Sequence, residues 1–175
     1  IEAISSTSPV YSNYGFYNLK DSSTNDVVSP IVNRLNITVG GGTVNFGIKI
    51  SQYSSATFKD CRISASSSGG TSIGIQIAHN PYLQSLPGDI VDIIDSTILS
   101  EDIGIKFVGG LQNYARARIL NSVVQGENAA IYGHDYNVIR IAHTMIDGGF
   151  DDNGVASSYK CIGNYDDDMD PVSCP

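Results

Sequence analysis

Tryptophan is absent from this chain, methionine occurs twice, and only 16% of the 175 residues carry charge. Lysine and arginine number 10 against 18 acids, for a net charge of -8. That balance argues against nucleic acid as a partner, because phosphate binding needs a basic stripe. An anionic membrane surface is disfavoured for the same reason; the basic residues are scattered, apart from Arg116 and Arg118. No apolar run approaches the roughly 20 residues of a helical membrane span. No stretch sustains a 3.6-residue apolar period, so helix content is expected to be close to nil. Neither a Gly-x-Ser-x-Gly elbow nor a phosphate loop occurs. The histidines, His79, His134 and His143, share no metal-ligand spacing.

What is present is globular: 41% hydrophobic residues and 18 glycines, with enough length for one domain and its core. Polarity comes from Ser, Thr and Asn rather than from ions, as is common in secreted all-β proteins. Three cysteines occur. Cys161 and Cys174 lie close together near the C-terminus and Cys61 lies far away. That spacing predicts one disulfide, one buried thiol and an oxidising compartment. The chain opens at Ile1 with no basic leader, and is expected to be a mature or trimmed piece of something longer.

The main signal is repetition. "NYGFYNL" (13–19), "NFGIKIS" (45–51), "SIGIQIA" (72–78) and "EDIGIKFVGG" (101–110) are near-copies, and "NAAIYG" (128–133) is a weaker one. Their glycines are spaced by 32, 27 and 30 residues, and Ala130 follows Gly104 by 26. Gly154-Val155 begins a possible last copy. A second block reads apolar, x, polar, small, x, apolar. It occurs at Phe58–Ile63, Ile93–Ile98, Ile119–Val124 and Ile141–Ile146, with a degenerate copy at Val32–Ile37. The two blocks alternate strictly. A period in the twenties without helical patterning predicts a β-solenoid.

Stacking the units at ~4.8 Å would align three inward columns. They are Val32, Phe58, Ile93, Ile119, Ile141; then Ile37, Ile63, Ile98, Val124, Ile146; then Phe16, Ile48, Ile75, Ile105, Ile131. Small residues fill a fourth, Cys61, Ser96, Ser122, Thr144, which accounts for Cys61 without chemistry. Asp60, Asp95, Asn121 and His143 precede them, at a turn where Asp and Asn are at home. The recurring Gly is expected to serve either φ > 0 or close approach of units. The insertions, 65–72 and 78–89, fall between blocks.

This two-block unit resembles the right-handed parallel β-helix of the pectate-lyase-like superfamily, over roughly residues 1–155. The resemblance implies five to six coils. That superfamily spans polysaccharide lyases, glycoside hydrolases, phage tailspikes, adhesins and many secreted bacterial proteins. The tail "YKCIGNYDDDMDPVSCP" resembles the C-terminal ends of bacterial right-handed β-helix repeat proteins. Residues 156–175 are therefore expected to cap the solenoid, pinned by Cys161–Cys174.

Candidate chemistry is thin. Asp166, Asp168 and Asp170, with Asn164, alternate like the first half of a calcium loop, but the following Gly and the distant Glu are lacking. A solvated acidic cap is the simpler expectation. Arg118 and Arg140 align with Thr57 and Asp92 in one outward column. A lyase of this fold would use Arg or Lys beside an acidic sugar, while Asp92 and Arg118 are placed to pair with each other. A hydrolase needs two carboxylates about 5–9.5 Å apart. Asp60 and Asp95 qualify by stacking distance, although a turn column suits structural capping better. Lys49, Gln76, Lys106 and Tyr132 form another outward column. Ten tyrosines, among them Tyr11, Tyr14, Tyr17, Tyr53, Tyr82, Tyr114, Tyr132 and Tyr136, either decorate a glycan- or protein-binding face or pack at loop edges. Asn36 heads a glycosylation sequon inside an expected strand.

The expected role is a secreted structural or adhesive segment, with polysaccharide or cell-surface glycan as candidate partner and self-association through coil ends open. The alternative is a polysaccharide-degrading lyase or hydrolase, or a tailspike-like depolymerase.

Overall fold

The computed structural model of the protein describes residues 2–3, 12–18, 29–50, 55–78, 90–108, 115–133, 137–152 and 158–175. The repeat expected at Gly154-Val155, the stretch 79–89, His79, His134, and Tyr11, Tyr53, Tyr82, Tyr114 and Tyr136 lie outside the described residues. The described residues form strands and turns, with no helix among them.

Among the described residues eighteen strands, numbered β1–β18 in chain order, assemble into three sheets of six. The first sheet holds β1 (Glu2–Ala3), β4 (Asn36–Val39), β7 (Arg62–Ala65), β10 (Thr97–Ser100), β13 (Val123–Gly126) and β16 (Met145–Asp147). The second holds β2 (Ser12–Asn18), β5 (Val44–Ile50), β8 (Thr71–Ala78), β11 (Ile103–Val108), β14 (Ala129–Tyr132) and β17 (Phe150–Asp151). The third holds β3 (Ile31–Asn33), β6 (Ala56–Lys59), β9 (Val91–Ile94), β12 (Arg116–Leu120), β15 (Val138–Ala142) and β18 (Ser158–Ile162). Each strand from β1 to β15 pairs in parallel with the strand three places on, so the chain visits the sheets in rotation. Three successive strands make one rung.

The three aliphatic columns are in register. Phe16, Ile48, Ile75, Ile105 and Ile131 pair in turn, and Phe150 extends them. Ile37, Ile63, Ile98, Val124 and Ile146 pair in the first sheet. Val32, Phe58, Ile93, Ile119 and Ile141 pair in the third, and the column ends on Cys161. Most of these side chains are fully buried, and they form one continuous core. Like sits on like, so shape as well as hydrogen bonding fixes the register.

The third sheet joins the first through two residues in every described rung. The first residue of each pair is left-handed: Arg34, Asp60, Asp95, Asn121 and His143 have φ between 48° and 54°. Gly163, at 61°, repeats the corner after β18. The second residue is small and buried in most rungs: Cys61, Ser96, Ser122, Thr144, then Asn164. Its side chain closes backbone bonds. Ser96 Oγ donates to Ile94 O at 2.8 Å and Ser122 Oγ to Leu120 O at 2.8 Å. Thr144 Oγ1 donates to Ala142 O at 3.0 Å. The same oxygens accept amides from the neighbouring rung: Cys61 N–H donates to Ser96 Oγ and Ser96 N–H to Ser122 Oγ. Thr144 N–H donates to Asn164 Oδ1. Cys61 is the sulfur member of this ladder, its thiol 3.3 Å from Lys59 O.

Of the two roles open to the repeat glycines, the structure uses close approach. None of Gly15, Gly47, Gly74 or Gly104 has positive φ. A Cβ on Gly104 would stand 2.6 Å from Ala130 O and 2.8 Å from the Val124 side chain. At the fifth rung the position is Ala130, whose N–H donates to Gly149 O, just before the two-residue β17.

The C-terminal segment continues the pattern before leaving it. Tyr165 bridges Met145 in parallel, as a further first-sheet strand would. The chain then turns back, so that Tyr165 also bridges Pro171 in antiparallel. The Cys161–Cys174 disulfide ties the returning tail to the end of an aliphatic column, and both cysteines pack on the core.

Two outcomes follow. In urea unfolding, Gly104→Ala loses about 1–3 kcal/mol through overpacking, whereas the reverse exchange one rung on, Ala130→Gly, costs roughly 1 kcal/mol or less. Reduction of Cys161–Cys174 lowers the stability of the oxidised chain by about 3 kcal/mol, the value for a closed loop of about 15 residues. Paired urea titrations with and without reductant measure it.

Candidate functional site

The outward face of the third sheet carries the densest cluster of cations in the described residues. Strand alternation puts Phe58, Ile93, Ile119, Ile141 and Cys161 inside. The intervening positions therefore stand outside, as a column of Thr57, Asp92, Arg118, Arg140 and Lys160. Lys59 and Arg116 lie on the same strands, β6 and β12. The chain is acidic overall, so this face is a local inversion of charge.

Asp92 and Arg118 meet as a fork. Arg118 Nε donates to Asp92 Oδ1 and Arg118 Nη2 to Asp92 Oδ2, each at 2.6 Å. The hydrogen bond to Asp92 raises the Arg118 pKa, partly offset by burial, with Asp92's charge adding to the rise. Arg118 is 45% exposed, so this pair belongs to the surface class worth about 0.2–1 kcal/mol. It also occupies the only carboxylate in the column. Arg140 and Lys160 continue the column beyond it, both exposed.

Beside them runs a parallel row, Leu120, Ala142 and Ile162, also in register. Cations and apolar row together line a groove of about 410 Å³. A smaller hollow of about 260 Å³ lies between Arg116, Val138 and Arg140.

The remaining candidates are placed elsewhere. Asp60 and Asp95 occupy the left-handed corner on successive rungs, with φ of 53° and 49°. Asp95 Oδ1 accepts a long bond from Asn121 Nδ2 at 3.4 Å. They are at the corner where the third sheet turns into the first. Asp166, Asp168 and Asp170 form the turn of the tail. Asp166 Oδ1 accepts Asp170 N–H at 2.8 Å, and Met169 N–H donates to Asp166 O. Asp166 thus holds the turn. Among the described residues, no group of three or more His, Cys, Asp or Glu side chains converges as a metal site would require, and no helix is long and apolar enough to cross a membrane.

The second sheet carries a different surface. Tyr14 stacks on Tyr17 at 5.3 Å and on Phe46 at 5.1 Å. Lys49 Nζ lies 5.2 Å from the Tyr14 ring, and Lys106 Nζ 5.0 Å from that of Tyr132. The outward column Tyr17, Lys49, Gln76, Lys106, Tyr132 is in register. Its lysines cover aromatic faces, a weak stabilisation.

Compared with known proteins, the chain matches no family model, no curated protein and no solved structure.

The corner geometry makes a sharp test of Asp95. Asp95→Asn leaves stability nearly unchanged, because Asn tolerates the left-handed region, whereas Asp95→Ile costs about 1–2 kcal/mol. Thermal unfolding of the two variants measures the difference. Arg118→Ala, by contrast, changes stability by less than about 1 kcal/mol.

Proposed function

We propose that the chain is a right-handed parallel β-helix of five to six coils, of the pectate-lyase-like kind, closed by its C-terminal tail. In this reading it serves as a secreted structural or adhesive segment of a surface or fibre protein, with glycan contact on its outward faces. The observation that carries it is the unbroken register of three six-stranded parallel sheets. Such a stack presents side chains at fixed steps of ~4.8 Å along its length, a spacing that suits a rod bearing repeated contacts. The Cys161–Cys174 bond is compatible with an extracellular setting.

The outward columns support binding over turnover. Asp92 is engaged by Arg118, and Asp60 and Asp95 carry the corner. A depolymerase would instead need carboxylates and a base gathered across neighbouring rungs.

Incubation with pectin, alginate and host cell-surface glycans, with and without calcium, distinguishes the two. The expected result is retention of one or more glycans with no unsaturated products and no new reducing ends. Product release abolished by Arg118→Ala or Asp92→Ala would replace the adhesive reading with a polysaccharide-degrading one.

A further inference from the structure

Two exposed apolar side chains of the C-terminal region have complementary surroundings. Met169 is 71% exposed at the tip of the turn 166–170, and Ile162 is 57% exposed on the third sheet. Met169 is also left-handed, with φ of 67°. An L side chain adopts that region at a cost, and a strained residue that lifts an apolar group into water invites a functional explanation. The turn is rigidly tied. Asp166 N–H donates to Asp170 O, Met169 N–H to Asp166 O, and Asp170 N–H to Asp166 Oδ1. It therefore presents a fixed apolar knob, flanked by the carboxylates of Asp166, Asp167, Asp168 and Asp170.

The groove on the third sheet is its counterpart. The floor is Leu120, Ala142 and Ile162, the rim is Arg118, Arg140 and Lys160, and the volume is about 410 Å³. An unbranched thioether adapts to such a floor, and the rim cations match the acids around it. The chain's own tail does not fill the groove. From Asn164 it passes to the first sheet, where Tyr165 pairs with Met145, and Ile162 stays exposed.

We propose that the turn 166–170 of one copy docks on the third-sheet groove of a second copy, with Met169 against Ile162 and the aspartates against Arg140 and Lys160. Knob and groove belong to the same end of the molecule. A two-fold axis near that end satisfies both contacts at once, giving a closed pair rather than an open chain. This inference stands apart from the adhesive reading: it needs no glycan, and either can fail alone.

Solution mass across a concentration series tests it, with complementary charge reversals. Asp168→Lys with Asp170→Lys reverses the knob and spares Asp166, which holds the turn; Arg140→Glu with Lys160→Glu reverses the rim. The wild type is expected to approach twice 18.6 kDa. Each reversed variant alone weakens pairing roughly 100-fold through like-charge contacts, and an equimolar mixture of the two recovers it. Met169→Gly separates association from folding. Glycine suits the φ of 67°, so this variant melts higher than wild type while pairing about tenfold more weakly. A wild type that stays monomeric at every concentration overturns the proposal. So does a mixture of the reversed variants that fails to pair, or a Met169→Gly chain that pairs as well as wild type.

Discussion

Stacked rungs must close their backbone hydrogen bonds at the corners as well as along the strands, and the tightest corner decides whether they can. Between the third and first sheets the chain turns in two residues. The left-handed residue reverses direction while its N–H still reaches the next rung, as from Asp95 to Leu120 O and from Asn121 to Ala142 O. The residue after it sends a hydroxyl inward to take up the backbone groups that the turn leaves over. A buried polar group without a partner costs roughly 1–3 kcal/mol, and the same corner recurs on each rung. The constraint is therefore repeated down the molecule, and the aliphatic columns depend on it for their alignment.

The columns were legible because aliphatic residues recur at one phase of each block, and parallel stacking leaves that phase nowhere else to point. The outward column through Asp92, Arg118 and Arg140 followed from the same alignment. The corner was only half legible. Asp60, Asp95, Asn121 and His143 are residue types that accept positive φ, but Arg34 is not typical there. Its conformation comes from the stack around it rather than from its own preference. The repeat glycines left two roles open, and the choice depends on how near Gly104 lies to Ala130 O, a distance between rungs that no local pattern encodes. Cys161 at the end of the Ile141 column was hidden because the sequence offers sulfur where the earlier rungs have hydrocarbon.

The same contrast holds for the candidate site. Arg118, Arg140 and Lys160 lie 22 and 20 residues apart, so a linear reading sees scattered cations. Register turns them into one row and sets Leu120, Ala142 and Ile162 beside it. The carboxylates followed the opposite course. Asp60 and Asp95 do sit on successive rungs, as a hydrolase pair would, yet their backbone conformation assigns them to the corner. Proximity along a stack is common to every column, so a pair of acids one rung apart carries little chemical meaning until its surroundings are known.

Among the described corners, the one at Arg34–Leu35 is chemically different. A leucine stands where the later rungs place a thiol, a hydroxyl or an amide, and an arginine stands where they place residues more at ease with positive φ. Arg34 N–H still reaches Lys59 O, but no side-chain group of Leu35 can tie the turn. Unzipping would then begin at this corner and travel rung by rung towards the disulfide, so that amide exchange would be graded along the molecule, fast where leucine replaces the hydroxyl and slow where sulfur clamps the far end.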